Sequence, residues 1–166
     1  MFWAMAVAAS PGCQSIKEKS IMTDITPSLS DYPYQVTLPT RWQDNDIYGN
    51  VNNVVFYSFF DTAVNRFLCD EAGMDFRTSP VIAHVVSSQC QFISHVAYPE
   101  DVDVGVRVAK IGRSSVTYGV SIYAGTNERR VAHGQFVQVF VDRETNRVVP
   151  VPARTKTALE RIIESL

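Results

Sequence analysis

The sequence predicts an α+β domain in which a curved antiparallel sheet wraps one long central helix, with a short helix at the C-terminal end. Three observations lead there. One segment, from about Asn52 to Cys69, is too apolar for a helix with a solvated face. Three later segments alternate apolar and polar residues with the two-residue period of half-buried strands, and a fourth, residues 81–93, is extended in character. The turns between those strands are short, which favours antiparallel neighbours.

Each element can be justified in order. Tyr34, Val36 and Leu38 alternate as a first strand. The polar run RWQDNDIYGN (41–50) supplies turn and helix-cap chemistry through its Asn and Gly residues. Asn52 or Asn50 then caps the helix. Along it Phe56, Phe60, Ala63 and Phe67 recur at three and four, and Tyr57, Val64 and Leu68 form a second row. Val54, Val55 and Phe59 widen the apolar surface until most sides are expected to be buried. Gly73 suits the stop. Residues 81–93 are extended in character. Val102 to Val108, Val116 to Ile122 and Val131 to Val141 follow as strands, separated by Gly112-Arg113 and Gly125-Thr126-Asn127. After Pro150 and Pro152, a short helix puts Ala158, Leu159, Ile162, Ile163 and Leu166 on one face. A helix this greasy needs a sheet to wrap it, and this order of elements is that of the hot-dog fold.

A chain of 166 residues is one domain's worth of material. Residues 1–30 read as a flexible N-terminal extension and residues 31–166 as a single domain. The first stretch, MFWAMAVAASPGC, is apolar but lacks a preceding Lys or Arg and is too short to span a bilayer. Cys13, Cys69 and Cys90 are odd in number and far apart, so they read as reduced thiols of a cytoplasmic protein. A net charge of −2 gives no general attraction for nucleic acid or an anionic membrane, so any phosphorylated ligand needs a local basic patch.

Several chemistries fail on spacing. A calcium loop starting at Asp44 places Asp46 and Gly49 correctly, but Tyr48 and Val55 occupy ligand positions, and Val55 stands where a bidentate Glu is required. His84, His95 and His133 lack paired metal spacing. No G-x-S-x-G elbow, P-loop or G-x-G-x-x-G occurs. What remains is an acid pair, Asp44 and Asp46, just before a helix start. Such acids often only build turns. Free N–H groups at a helix N-terminus, however, suit a developing oxyanion, and a carboxylate beside them completes the parts that acyl transfer requires.

The run Asp44-x-Asp46-x-x-Gly49-x-Val51-Asn52-Asn53-x-x-x-Tyr57, with Asp61 on the helix, resembles the signature of 4-hydroxybenzoyl-CoA thioesterase-like acyl-CoA thioesterases. The resemblance spans about residues 34–160 and includes PEDVDVGVRVAKIGRSSVTYGVSI (99–122). It implies an acyl-CoA thioesterase with no cofactor or metal. Asp46 would be the catalytic carboxylate, as nucleophile or as base on water, and the Asn53 backbone N–H would polarise the thioester carbonyl. It implies that Gly49, Asn50, Val51 and Asn52 shape the turn, and that Tyr57 lines the acyl pocket or packs beneath it. Asp44 would stand behind Asp46, raising its pKa if both are buried. For the CoA phosphates, Arg113 beside Ser114 is the first choice, with Lys110, Arg129 and Arg130 at neighbouring turns. A homodimer or homotetramer is also implied. The chain departs from the pattern at Asn50, where many members carry His. Two other readings are an acyl thioester hydratase or dehydratase, for which the surroundings of His95 are wrong, and a non-catalytic acyl-CoA-binding module.

Overall fold

A computed structural model describes residues 27–125 and 129–163. Five strands and two helices follow in the expected order: β1 (Tyr34–Leu38), α1 (Asn53–Asp70), β2 (Val81–Phe92), β3 (Val102–Ile111), β4 (Ser115–Ala124), β5 (Arg129–Asp142) and α2 (Ala153–Arg161). The strands form one antiparallel sheet in the order β1-β3-β4-β5-β2. β1 and β2 therefore sit on opposite edges, and α1, which joins them, must cross the face of the sheet.

That crossing makes the core. Val102, Val104, Val106 and Val108 of β3 and Val116, Tyr118, Val120 and Ile122 of β4 are buried at every second position, as a pleated strand requires. Phe56, Phe59, Phe60, Ala63, Val64, Phe67 and Leu68 of α1 pack against them. Each such large side chain contributes about 1.5–3 kcal/mol by leaving water. The sheet covers one side of α1 only, so the expectation of a helix buried on most sides is too strong. Val54 is 65% exposed, and Ser58, Asp61 and Arg66 also face outward. α2 buries Ala158 and Leu159, with Ile162 just beyond it; Ile163 is 43% exposed, and Leu166 lies outside the described residues.

The packed chain also begins earlier than expected. Leu29 and Tyr32 pack with Tyr123 of β4, whose hydroxyl donates to the Pro27 carbonyl at 2.6 Å. The rest of the expected extension, residues 1–26, lies outside the described residues. Among the described residues no helix is long and apolar enough to cross a membrane.

Candidate active site

The two acids before α1 have different fates. Asp44 ends a 3-10 turn (Trp42–Asp44) and is 2% exposed. Its carboxylate accepts from the Arg41 backbone N–H at 2.7 Å, from Nη2 at 2.8 Å and from Nε at 3.1 Å. The aspartate's charge is thus matched on the spot, and it raises the pKa of the Arg41 guanidinium, by hydrogen bonding first and by Coulombic attraction second. Its backbone carbonyl accepts the Asn52 N–H at 2.8 Å, tying the turn to the helix cap. Asp44 is a structural anchor. Asp46 is only half-buried, so the condition attached to the pair, burial of both, is not met.

Asp46 closes the next turn on itself. Its Oδ1 accepts the Tyr48 N–H at 2.8 Å and the Asn50 N–H at 3.4 Å, and its own N–H donates to the Asn50 carbonyl at 2.8 Å. Gly49 makes the turn possible. Its φ of +82° is left-handed, and L side chains rarely adopt that conformation. Holding Oδ1 in this way fixes the carboxylate while Oδ2 takes no part in those bonds.

The helix start completes the arrangement. Asn52 is the N-cap, and its side-chain oxygen accepts the Val54 N–H at 3.2 Å. Asn53, the first helical residue, has no intrahelical acceptor for its own N–H. Asp46, Asn50, Val51 and Asn53 line a single cleft of about 350 Å³, whose other walls are Phe56, Phe92 and Ile93 with Ser94 and His95. The cleft therefore joins a carboxylate, a helix N-terminus and an apolar wall. Asp46 also borders a second hollow of about 400 Å³, lined by Trp42, Asn45, Ile47 and Gly49.

Of the wall at residues 92–95 the sequence points only to His95, and not as part of this cleft. The wall is pinned from both sides. Val51 N–H donates to the Val96 carbonyl at 2.8 Å, and Tyr98 N–H donates to Asn45 Oδ1 at 3.1 Å. From β5, Arg129 Nη1 donates to the His95 carbonyl at 2.6 Å and to Ser94 Oγ at 2.9 Å, while Nη2 meets Glu100 at 3.2 Å. Arg129 is thus engaged in holding the cleft wall. The signal that could have pointed here is Asn50 itself: where the expected His is missing, His95 borders the same cleft from another element.

Other expected residues lie elsewhere. Tyr57 is half-buried and meets Phe60 edge-on, with ring centroids 6.4 Å apart, rather than lining the cleft. Arg113 and Ser114 border a separate hollow with Val148, Val149 and Pro150. Within one chain they are not brought to Asp46. Asp61, on the exposed side of α1, has its carboxyl pKa raised by burial, against an opposing hydrogen bond from Asn65 at 2.9 Å.

Comparison with known proteins places this geometry. The family model of the thioesterase-like superfamily matches residues 40–159. No curated protein sequence matches the chain. Among solved structures, a Pseudomonas aeruginosa PAO1 protein is 43% identical, with a TM-score of 0.80 over 84% of this chain and 97% of that one. A Thermus thermophilus thioesterase, crystallised with coenzyme A and zinc, is 26% identical with a TM-score of 0.66, over 77% of this chain and 98% of its own. A 1,4-dihydroxy-2-naphthoyl-CoA thioesterase from Synechocystis is 14% identical with a TM-score of 0.69, over 76% and 94% of the two chains, and supports the fold alone. A family match over 120 residues, on a hot-dog sheet with one long helix packed across its face, settles the assignment: the chain belongs to the thioesterase-like superfamily.

Proposed function

We propose that this protein hydrolyses an acyl-CoA thioester to the free acid and CoA, with Asp46 as the catalytic carboxylate. The observation that carries this reading is the shared cleft: Asp46 and the N-terminus of α1 at Asn53 face one space walled by Phe56, Phe92 and Ile93. The thioester carbonyl oxygen points to the Asn53 N–H, where the helix start stabilises the charge that develops on it. Asp46 either attacks the carbonyl carbon, giving a mixed anhydride that water then hydrolyses, or takes a proton from the attacking water. In both versions the CoA thiolate leaves, and as a good leaving group it asks for no strong general acid.

The acyl group lies against Phe56, Phe92 and Ile93, and the pantetheine arm leaves along the Trp42 and Ile47 side of Asp46. CoA as the thiol carrier is supported by the coenzyme bound to the Thermus thermophilus relative. The reading includes a homodimer or homotetramer. β2 is an edge strand on which Val85, Val86 and Phe92 are exposed, followed by Ile93, and such an edge invites pairing with a second copy. In that assembly Arg113 and Ser114 reach CoA phosphates from the neighbouring subunit.

The test is a panel of acyl-CoA thioesters of varied chain length and aromaticity, read by released thiol. Turnover of at least one class supports the proposal. Tight acyl-CoA binding with no turnover anywhere on the panel would replace it with a binding module.

A further inference from the structure

Among the residues that line the Asp46 cleft, two carry titratable side chains: Asp46 itself and His95. Asp46 comes from the turn before α1, and His95 from the segment that follows β2. The other polar side chains there, Asn50, Asn53 and Ser94, are neutral. The Ser94 hydroxyl is already engaged, donating to the Arg130 carbonyl at 3.3 Å and accepting from Arg129 at 2.9 Å.

The main chain of His95 is fixed and its side chain is not. Its carbonyl accepts Arg129 Nη1 at 2.6 Å, and the next carbonyl, of Val96, accepts the Val51 N–H at 2.8 Å. Val51 adjoins Asn50, whose N–H and carbonyl close the Asp46 turn. These contacts hold the backbone of His95 against the turn that carries the acid. Arg129 is itself paired with Glu100 at 3.2 Å, so the pair adds no net charge at the wall. The imidazole makes no hydrogen bond or ion pair among the described residues, and the residue is exposed. A histidine without a structural partner, on a pinned backbone in the same cleft as a carboxylate, is available for proton transfer.

Asp46 creates the need for such a group. Its Oδ1 accepts the Tyr48 and Asn50 N–H groups, which leaves Oδ2 for attack on the thioester carbon. Once Oδ2 carries the acyl group, Oδ1 is the carbonyl oxygen of a mixed anhydride and is no longer a base. The water that opens the anhydride must lose its proton elsewhere, and a neutral imidazole accepts one near neutral pH.

Resting on the thioesterase reading with Asp46 as nucleophile, we propose that His95 is the general base of the second step. In the first step, the bond from Oδ2 to the acyl carbon forms and the C–S bond breaks, its electron pair leaving on the CoA sulfur as thiolate. In the second, the water oxygen bonds to the acyl carbon and its proton passes to a ring nitrogen of His95. The C–O bond to Asp46 breaks and restores the carboxylate. His95 then returns the proton to solvent from its exposed position.

Pre-steady-state thiol release by His95→Gln on the best acyl-CoA substrate tests this. It should show a burst of about one thiol per active site, then turnover slowed about 100- to 10,000-fold. His95→Ala should behave alike, and free imidazole should restore part of its steady-state rate without changing the burst. Full-rate turnover by His95→Gln, slowed turnover without a burst, or no response of His95→Ala to imidazole overturns the proposal. Should His95→Gln fail to fold, the burst and imidazole readouts of His95→Ala decide alone. The underlying reading fails separately, through wild-type protein inactive on every acyl-CoA or an Asp46→Asn variant that turns over at the wild-type rate.

Discussion

The backbone N–H of Val51 donates to the carbonyl of Val96 at 2.8 Å, binding the Asp46 turn to the segment that carries His95. Through this contact the Asp46 turn and the far wall of the cleft become one unit, anchored to the sheet by Arg129 on β5. Position in this fold comes from short polar contacts at the rim, and the apolar core supplies the platform beneath them.

Asp44 and Asp46, two residues apart, should separate cleanly on mutation. Asp44→Ala leaves the Arg41 N–H and guanidinium without their buried acceptor, at an expected cost of about 1–3 kcal/mol. Chemical denaturation should show that loss, while kcat of the folded protein stays within a few-fold of wild type. A loss of kcat without a loss of stability would place Asp44 in the chemistry instead.

Asn52 is expected to affect both stability and rate. Removing the cap in Asn52→Ala should cost about 1 kcal/mol. Because the helix start also sets the Asn53 N–H, kcat should fall by up to about 100-fold for a shift of about 1 Å. Asn52→Ser, which retains a capping oxygen, should recover most of both. Recovery of stability with no recovery of kcat would separate the cap from the carbonyl-binding role.

Phe92 lines the cleft and meets Phe56 edge-on, with centroids 5.3 Å apart, yet is 48% exposed. Phe92→Ala should therefore destabilise less than Phe56→Ala, for which about 3–5 kcal/mol is expected. Its main effect should be on acyl preference: KM for long or aromatic acyl-CoA rises about tenfold while short acyl-CoA changes little. An equal change across all chain lengths would remove Phe92 from the acyl pocket.

The β5 end gives a pH prediction. Asp142 is held below the usual carboxylate range, chiefly by the Thr145 backbone N–H, then by the Thr145 hydroxyl, with a smaller contribution from the Glu144 N–H. A carboxyl with a depressed folded pKa stabilises the fold above its unfolded value and loses that contribution as pH falls through the folded value. The Tm difference between wild type and Asp142→Asn should thus be largest near neutrality and shrink below about pH 4. A difference that stays constant from pH 7 to pH 3 would assign the effect to shape rather than charge.

Much of this was legible because it rests on local patterning. The alternating valines of β3 and β4 and the phenylalanine spacing of α1 name the elements and the core before any contact is known. Asp46, Asn52 and Asn53 were legible as well, since a turn and a helix cap are built within a dozen residues. Residues that depend on long-range pairing were not. Phe92 and His95 reach the cleft only because β2 runs along the sheet edge opposite β1 and α1 crosses between them. Arg129 looked like any basic residue at a turn until its three partners, about 30 residues distant in sequence, were in place. The exposed side of α1 was missed for a related reason: an apolar pattern predicts burial, and Val54 faces out where a single sheet does not reach.

The most direct test of the central claim compares thiol release by wild-type protein and Asp46→Asn on the best acyl-CoA substrate, both shown folded by their melting curves. Asp46→Asn preserves the size of the side chain and an oxygen for the Tyr48 N–H, and removes only the reactive charge. The account predicts a fall in kcat of about 100- to 10,000-fold with KM nearly unchanged. Turnover by Asp46→Asn at the wild-type rate would contradict it.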